Sequence, residues 1–135
     1  MSLDPTDLPA AVVVFARERH LATLTTLRPD GTPHVVPVGF TWDPDTRLVR
    51  IITFAPSRKV RNLRAAAAAG GTPRAVVCQV DRGRWLTFEG PATVTDDPER
   101  VADAVRRYAG RYRQPGERAD RVAVEIAVDR VLGRA

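Results

Sequence analysis

The residues best placed to do chemistry lie at the start of a predicted helix. Ser57, Arg58 and Lys59 occupy its first turn, and Asn62 follows about one turn later. Free backbone N–H groups and the helix dipole bind anions at such an end, and the dipole disfavours cations there. Two cations in this turn are explained by a phosphate that binds beside them. A solvated basic helix face is the open alternative, because two further arginines continue the charge.

The sequence contains no self-contained catalytic motif. It has two histidines, His20 and His34, one cysteine, Cys78, and no HExxH, CxxC, GxSxG, Walker or GxGxxG sequence. We therefore predict no metal site and assign no catalytic side chain. An enzyme with this sequence would use the reactive group of a bound cofactor, which the protein binds and orients.

The segment RPDGTPHVVPVGF combines a strand pattern with two residues that cannot donate to a sheet. It opens with a Pro-Asp-Gly turn, and Pro33 and Pro37 interrupt the strand that follows. We expect one edge of this strand to pair and the other to face a ligand groove, with the N–H groups of Val36 and Val38 left for a ligand. We interpret His34 as a wall of this groove rather than as a proton donor.

The remaining segments predict the elements that position these residues. Helical spacing of apolar residues indicates a first helix from about residue 8, and alanines after Ser57 indicate a second. A third begins after Asp97 and Pro98, which are typical of a helix start. Six strand-like segments joined mostly by short turns predict an antiparallel barrel with three helices. The predicted strands are residues 20–27, 32–42, 47–54, 74–80, 84–94 and 121–132, with a bend at Gly90–Pro91.

Length and composition place the chain among ordinary globular proteins. With 135 residues and 44% hydrophobic residues, we predict one domain over residues 1–135. No apolar run reaches the roughly 20 residues of a membrane span, and the N-terminal residues do not resemble a signal peptide. A single cysteine excludes an internal disulfide. We expect a cytoplasmic protein without membrane contact.

The net charge of +5 points to negatively charged partners. Lys59 is the single lysine among 21 basic residues. A nucleic-acid module would also use clustered surface aromatic side chains for stacking, and the sequence lacks them. We therefore predict no nucleic-acid partner.

Three segments in this order resemble a known superfamily: LATLTTLRPDGTPHVVPVGF, IITFAPSRKVRNL and RWLTFEGPATV. They are similar to the split-barrel flavin and deazaflavin proteins related to pyridoxamine-phosphate oxidase. ERHLA near the N-terminus and RVLG near the C-terminus extend the resemblance to the group that uses coenzyme F420, and within it to biliverdin reductases. The likeness covers nearly the whole chain. One departure is the connection AAAAAGGTPRA, which is a few residues longer than its family equivalent and lies on the phosphate side.

The resemblance implies a fold class and a set of site residues. The fold is mainly β (α+β): a six-stranded antiparallel split β-barrel with about three flanking helices, in a homodimer with cofactor sites at the interface. The strand over residues 34–38 would run along the deazaflavin ring, and the start of the second helix would hold the phosphate. The implied cofactor-binding residues are His34, Val35, Val36, Pro37, Val38, Ile52, Thr53, Ser57, Arg58, Lys59, Asn62, Gln79, Arg84 and Trp85. The last three belong to a region that the family often uses from the second subunit.

The function implied is that of an F420-dependent reductase. Reduced F420 would pass a hydride to a small conjugated acceptor, such as biliverdin or a related tetrapyrrole. An FMN-dependent oxidase or reductase of the same fold is one alternative, and a non-enzymatic haem- or cofactor-binding protein is another. F420 carries a phosphodiester and a glutamate tail, whereas FMN carries one phosphate, so the many arginines favour F420.

Overall fold

A computed structural model describes the whole chain, Met1–Ala135, as nine strands and three helices. The helices are α1 (Ala10–Arg17), α2 (Arg58–Ala68) and α3 (Pro98–Arg111). The strands are β1 (Ser2–Leu3), β2 (Ala22–Leu27), β3 (Pro33–Val38), β4 (Thr41–Asp43), β5 (Leu48–Phe54), β6 (Arg74–Asp81), β7 (Arg84–Thr95), β8 (Arg121–Ala127) and β9 (Arg130–Arg134). All strand pairs are antiparallel, and the predicted mainly β class with three helices is confirmed.

The strand count is nine rather than six because two predicted strands divide and a short one is added. The first break, at Gly39–Phe40, separates β3 from β4, and the second, at Val128–Asp129, separates β8 from β9. At each break the chain changes partner: β3 pairs with β2 but β4 pairs with β5. Likewise β8 pairs with β5, whereas β9 pairs with β1 and β7. A hydrophobic pattern reports burial but not the partner, so it does not reveal such breaks.

The strands follow the order β3-β2-β6-β7-β8-β5-β4, so β3 and β4 end the series. The long strand β7 joins the two halves of the sheet. Its first part pairs with β6 and β9, and its last residues, Ala92–Thr95, pair with β8. The change of partner follows Gly90–Pro91, where the sequence predicts a bend.

Gly90 is required by a close approach of two backbones. A Cβ atom at this position would lie 1.9 Å from the carbonyl oxygen of Ala127 and 3.1 Å from the Cα of Val128. No side chain can shift to relieve this contact, because the neighbouring atoms belong to the backbone. The crossing of β7 over the end of β8 therefore depends on a residue without a side chain.

One cluster of 20 buried residues fills the barrel. At its centre the Phe88 ring stacks on Trp42, with centroids 4.6 Å apart, and meets the edge of Phe40 at 5.9 Å. Helix α1 closes one side with Val12, Phe15 and Ala16. None of the three helices is both long and apolar enough to cross a membrane.

Both ends of α3 are anchored. The Asp97 carboxylate accepts a hydrogen bond from the Arg100 N–H at 3.2 Å, as the predicted cap requires. At the other end, the Arg111 guanidinium donates to the carbonyl oxygens of Phe40 and Glu18 and to the side-chain oxygen of Gln79. It also lies 4.6 Å from the centre of the Phe40 ring. Arg111 thus joins α3 to the end of α1, to the β3–β4 break and to β6.

We predict opposite effects for alanine at two glycines. Gly90→Ala should lower the free energy of unfolding by about 3 kcal/mol or more, because the added methyl group overlaps a backbone carbonyl. Gly110→Ala is the matched control, since Gly110 lies in α3 with open space around its Cβ position. It should be neutral or stabilising by up to about 1 kcal/mol. Urea unfolding followed by circular dichroism measures both, and equal losses would contradict the backbone contact at Gly90.

Candidate active site

The main candidate site lies where the barrel is split. The chain pairs with β2 along β3 and with β5 along β4, and Gly39 marks the point where the two pairings diverge. Strand β5 extends beyond Arg50, its last residue paired with β4. A cavity of about 290 Å³ lies between these elements, α3 and the loop that follows it. It is lined by Pro37, Val38, Gly39, Ile52, Thr53, Phe54, Lys59, Tyr108, Pro115, Arg118 and Arg121. The structure thus brings together five of the predicted site residues: Pro37, Val38, Ile52, Thr53 and Lys59.

Gly39 lets the β3–β4 break come close to α3. A Cβ atom at this position would lie 2.8 Å from the Tyr108 ring and 3.0 Å from the Tyr112 ring. The Tyr112 hydroxyl donates to the carbonyl oxygen of His20 at 2.7 Å and accepts the Phe40 N–H at 3.2 Å. Burial raises the pKa of Tyr112. The neutral phenol therefore holds the wall of the cavity against the start of β2.

Backbone pairing determines which polar groups of β3 remain free. The Arg28 N–H donates to the Thr32 carbonyl oxygen at 2.8 Å, in register with the β2–β3 pair. Bonded and non-bonded pairs alternate in an antiparallel ladder, so His34, Val36 and Val38 direct their N–H and C=O groups to β2. The expectation that the N–H groups of Val36 and Val38 are left for a ligand is therefore wrong, because β2 accepts them.

The outward edge of β3 carries Pro33, Val35 and Pro37, since these residues alternate with the bonded ones. Both prolines lie where no strand needs an N–H, as the sequence analysis predicts. The Pro33 carbonyl oxygen accepts the Arg28 side chain at 2.7 Å. The polar groups that this edge leaves unpaired are the N–H and C=O of Val35 and the C=O of Pro37.

Strand β5 offers a second unpaired edge on the opposite side of the cavity. The Ala55 N–H donates to the Asp120 carbonyl oxygen at 2.9 Å, which continues the β5–β8 register. The same alternation turns the N–H and C=O of Ile52 away from β8. They find no partner in β4, because the last β4–β5 pair is Thr41 with Arg50. The cavity therefore lies between two strand edges with unpaired peptide groups, which suits a flat ligand with hydrogen-bonding groups on its rim.

The start of α2 adds positive charge beside the β5 edge. Ser57 is the residue before the helix, as predicted, but its side chain makes no capping bond and instead accepts the Thr53 hydroxyl at 3.2 Å. Lys59 lines the cavity, and burial lowers the pKa of its ammonium group. Arg58 is exposed next to it. Free N–H groups and two cations therefore occur together at the start of this helix, which suits a bound anion.

Two predicted residues near this helix carry buried polar atoms without partners. These atoms are Nδ1 of His34 and Oδ1 of Asn62. The other amide group of Asn62 donates to the Thr26 hydroxyl at 3.0 Å, and Thr26 lies opposite His34 in the β2–β3 ladder. A buried polar atom without a partner typically costs about 1–3 kcal/mol. These two atoms therefore mark a place where a bound group would improve the hydrogen bonding.

Positive charge also borders the cavity on the side of β8. Arg118 and Arg121 line it, and the Arg118 guanidinium lies 4.3 Å from the centre of the Phe54 ring. The Lys59 ammonium lies 5.8 Å from the same ring. Arg118 is partly neutralised by Asp120, to which it donates at 2.8 Å. No carboxylate or thiol lines the cavity, so its ionisable groups are cations and the Tyr108 phenol.

Nine predicted residues do not line the cavity. Six of them belong to β3, to α2 or to the residue before α2, and the other three lie on β6 and β7. Gln79 is fully buried, and its amide donates to the Phe15 carbonyl oxygen at 2.8 Å and accepts from Arg111. Arg84 binds Glu18, at 2.7 and 2.9 Å. Trp85 lies on the opposite face of β7 from the core residue Leu86. The structure assigns Gln79 and Arg84 to interactions within the fold and does not bring them to the cavity.

The ion cluster around Arg84 also contains the one group of potential metal ligands. Ligand atoms of Glu18, His20 and Asp81 lie within 4.8 Å of one another. The Arg84 guanidinium binds both carboxylates, and its hydrogen bond lowers the pKa of Glu18 to about 2. A cation is thus already present between the two acids, and the site supplies a salt bridge rather than an open metal position.

Several residues of the cavity are missed by the sequence analysis. Gly39, Phe54, Tyr108 and Pro115 supply walls, and Arg118 and Arg121 supply charge. The last two come from the polar loop and strand after α3, where no local pattern separates them from other exposed arginines. Their position depends on the β5–β8 pairing, in which Arg121 lies opposite Phe54. Only that long-range register could have identified them.

The chain is similar to proteins of known family over nearly its whole length. A sequence model described as pyridoxamine 5'-phosphate oxidase matches residues 8–135. A protein of Mycobacterium tuberculosis (strain CDC 1551 / Oshkosh) named F420H(2)-dependent biliverdin reductase is 48% identical over 130 residues, which are 96% of this chain and 90% of that protein. These matches confirm the resemblance that the sequence predicts.

Solved structures share the fold. A conserved hypothetical protein of Mycobacterium tuberculosis gives a TM-score of 0.76 with 25% identity and covers 94% of this chain and 84% of its own. A structure described as an F420 reductase gives a TM-score of 0.70 with 25% identity, covering 93% of this chain and 98% of its own. The predicted split barrel is confirmed by these similarities.

We predict that proline is tolerated at one residue of β3 and not at its neighbour. Val35→Pro removes an N–H that points away from β2, so the free energy of unfolding should change by less than about 1 kcal/mol. Val36→Pro removes a ladder donor and leaves a carbonyl of β2 unpaired, which should cost about 2 kcal/mol more than Val35→Pro. Urea unfolding of the two variants tests the assignment of the free edge, and the reverse order would show that the strand pairs through its other residues.

Proposed function

The chain belongs to the pyridoxamine 5'-phosphate oxidase family, and we propose that it is an F420-dependent reductase whose acceptor is biliverdin or a related conjugated tetrapyrrole. The observation that carries this proposal is the 48% identity to the F420H(2)-dependent biliverdin reductase over 96% of the chain. The match includes both strand edges and the cationic helix start. Reduction of such an acceptor would add one hydride and one proton to it.

The residues of the cavity fit such a cofactor in two respects. Pro37 and Ile52 line the cavity with unpaired peptide groups, and the free edge of β3 continues from Pro37 to Val35. These groups suit the polar rim of a deazaflavin ring. The N-terminus of α2, with Arg58 and Lys59, suits its phosphate. Bound F420 supplies the transferable hydride. The chain's own contribution is to hold the ring and the acceptor together, which lowers the entropic part of the barrier.

The cavity has no carboxylate, thiol or histidine side chain among its lining residues. The groups that could pass a proton are the Lys59 ammonium, the Tyr108 phenol and water held by the arginines. We therefore assign no catalytic side chain and propose that solvent supplies the proton. Arg118 and Arg121 give this side of the cavity a positive field, which stabilises the carboxylates of an acidic cofactor tail or of a tetrapyrrole.

We also propose that the chain acts as a homodimer through one face of the sheet. Leu27, Val35 and Val80 are exposed large hydrophobic residues on β2, β3 and β6, with exposed fractions of 57%, 55% and 60%. The cross-strand pairs place them on the face opposite the buried residues, away from α1 and α2. Pro37, from the lining of the cavity, belongs to the same face, so a partner bound there would border the site.

Parallel titrations with F420 and FMN test the cofactor, and turnover of reduced F420 with biliverdin tests the reaction. Tighter binding of F420 than of FMN, with oxidation of the deazaflavin only when biliverdin is present, is the expected result. Preference for FMN would instead support an FMN-dependent enzyme. Binding of reduced F420 without reoxidation by any acceptor would support a cofactor-binding protein. The predicted cytoplasmic location stays a prediction.

Lys59→Ala should weaken F420 binding by roughly ten- to hundredfold, because it removes a charged donor from the proposed phosphate site. Arg61→Ala is the matched control, since it removes one exposed cation from the same helix. Its effect should be no more than about twofold, as expected for a screened charge at a distance. Isothermal titration or fluorescence quenching measures both affinities. Equal losses would assign the effect to net charge rather than to a phosphate contact at Lys59.

Val80→Arg should shift the chain from dimer to monomer, because it places a charge on the proposed contact. The control is Val14→Arg on α1, where the exposed fraction is a similar 59%. Sedimentation velocity measures the oligomeric state of each variant, and F420 titration reports whether the site survives in the monomer. An unchanged dimer in Val80→Arg would place the subunit contact elsewhere.

A further inference from the structure

His34 is the titratable side chain of the edge strand beside the cofactor site. It is half-buried on β3, opposite Thr26 of β2. Its Nδ1 atom is buried and has no hydrogen-bond partner. The other histidine, His20, lies instead 3.3 Å from the Glu18 carboxylate and 3.9 Å from that of Asp81. The two histidines therefore have opposite electrostatic surroundings.

The charged groups that act on His34 are all cations. Arg28 reaches it from the β2–β3 turn, and Lys59 and Arg58 reach it from α2. Burial and then these three cations lower the pKa of His34 below its usual value of 6.5. No carboxylate is among the groups that act on His34, so the ring is mainly neutral near pH 7 in the chain alone. Arg28 interacts with the Asp30 carboxylate of its own turn, whereas Arg58 and Lys59 form no salt bridge. A bound anion beside α2 would stabilise these two cations.

A side chain of α2 reaches the strand pair beside His34. The Asn62 amide nitrogen donates to the Thr26 hydroxyl directly opposite His34, and Oδ1 of Asn62 is buried without a partner. A neutral imidazole has one donor and one acceptor nitrogen, whereas the protonated ring has two donors. Protonation therefore makes both ring nitrogens donors, which suits an anionic acceptor bound on the side of α2.

We propose that His34 takes up a proton when the phosphate of the cofactor binds, and that this uptake makes cofactor binding stronger in mildly acidic solution. This inference rests on the proposed F420 function of the site. The phosphate brings negative charge to the side of α2 that carries Arg58 and Lys59. It offsets part of the positive field at His34, so protonation of the ring costs less free energy in the complex than in the free chain.

The direction of the pH effect follows from linkage. The bound complex holds its proton to a higher pH than the free chain, so the gain in affinity is complete below the pKa of the free chain. It is lost as the pH rises through the higher pKa of the complex. Each unit of difference between the two values corresponds to about a tenfold change in the dissociation constant. We expect binding to be roughly three- to tenfold tighter at about pH 5.5 than at about pH 8.

The test compares two ligands and two histidine variants. F420 and its phosphate-free core contain the same deazaflavin ring. Protonation of the deazaflavin therefore affects both ligands equally and cancels in the comparison. Dissociation constants are measured across this pH range for the unmodified chain, His34→Gln and His20→Gln. The affinity for F420 should depend more strongly on pH than the affinity for its core. This difference should disappear in His34→Gln and persist in His20→Gln. Because the chain has two histidines, NMR titration of the unmodified protein follows His34 directly, with and without F420.

The outcomes separate this inference from the proposed function. A rise in the His34 titration midpoint on adding F420, but not on adding the core, supports proton uptake. If F420 binds and depends on Lys59 while the His34 midpoint does not move, proton uptake is wrong and the F420 site stands. Equal pH dependence of the dissociation constants for F420 and its core would also show that proton uptake by His34 is wrong. If F420 does not bind at all, the proposed function fails, and this inference fails with it.

Discussion

The site exists because a strand cannot hydrogen-bond on an edge from which its neighbour has departed. Where the chain turns away at Gly39–Phe40, β3 takes β2 as its partner and leaves part of β5 without one. The two edges then face each other across a cavity with unpaired peptide groups on both sides. In an ordinary sheet such edges invite aggregation. Here the prolines remove two of the free donors, and a flat cofactor would use the rest.

The cations of the site are held by the same architecture that creates the gap. Lys59 and Arg58 are placed by the helix that follows β5, and Arg118 and Arg121 by the return of the chain into β8. Around this positive site the fold neutralises its other charges locally. Asp43 shows this: burial opposes its ionisation, but hydrogen bonds from Thr46 and Arg50 outweigh it and lower its pKa to about 2. Arg58 and Lys59, which form no salt bridge, are therefore the cations of this region that remain for a bound anion.

The sequence predicts well what short-range chemistry decides. The Asp97 cap, the helix start after Ser57 and the edge position of Pro33 and Pro37 all follow from local rules, and the structure agrees with them. It predicts poorly what depends on partners distant in the chain. The resemblance implies that Gln79 binds the cofactor, and only the packing of α1 and α3 shows that its side chain is buried and bonded to Phe15 and Arg111. The arginines after α3 reach the cavity only through the β5–β8 register, which no local pattern encodes.

The anchoring of Arg111 has a consequence for how this scaffold could diversify. It ties the last turn of α3 to three other parts of the barrel, and the Ala55–Asp120 backbone bond fastens the start of β8. The segment between them, residues 113–119, is thus clamped at both ends while its middle borders the cavity through Pro115 and Arg118. Replacing this loop by one of another length or charge would change the shape and charge of this side of the cavity without disturbing the core. It is therefore the segment to exchange in experiments that alter ligand preference.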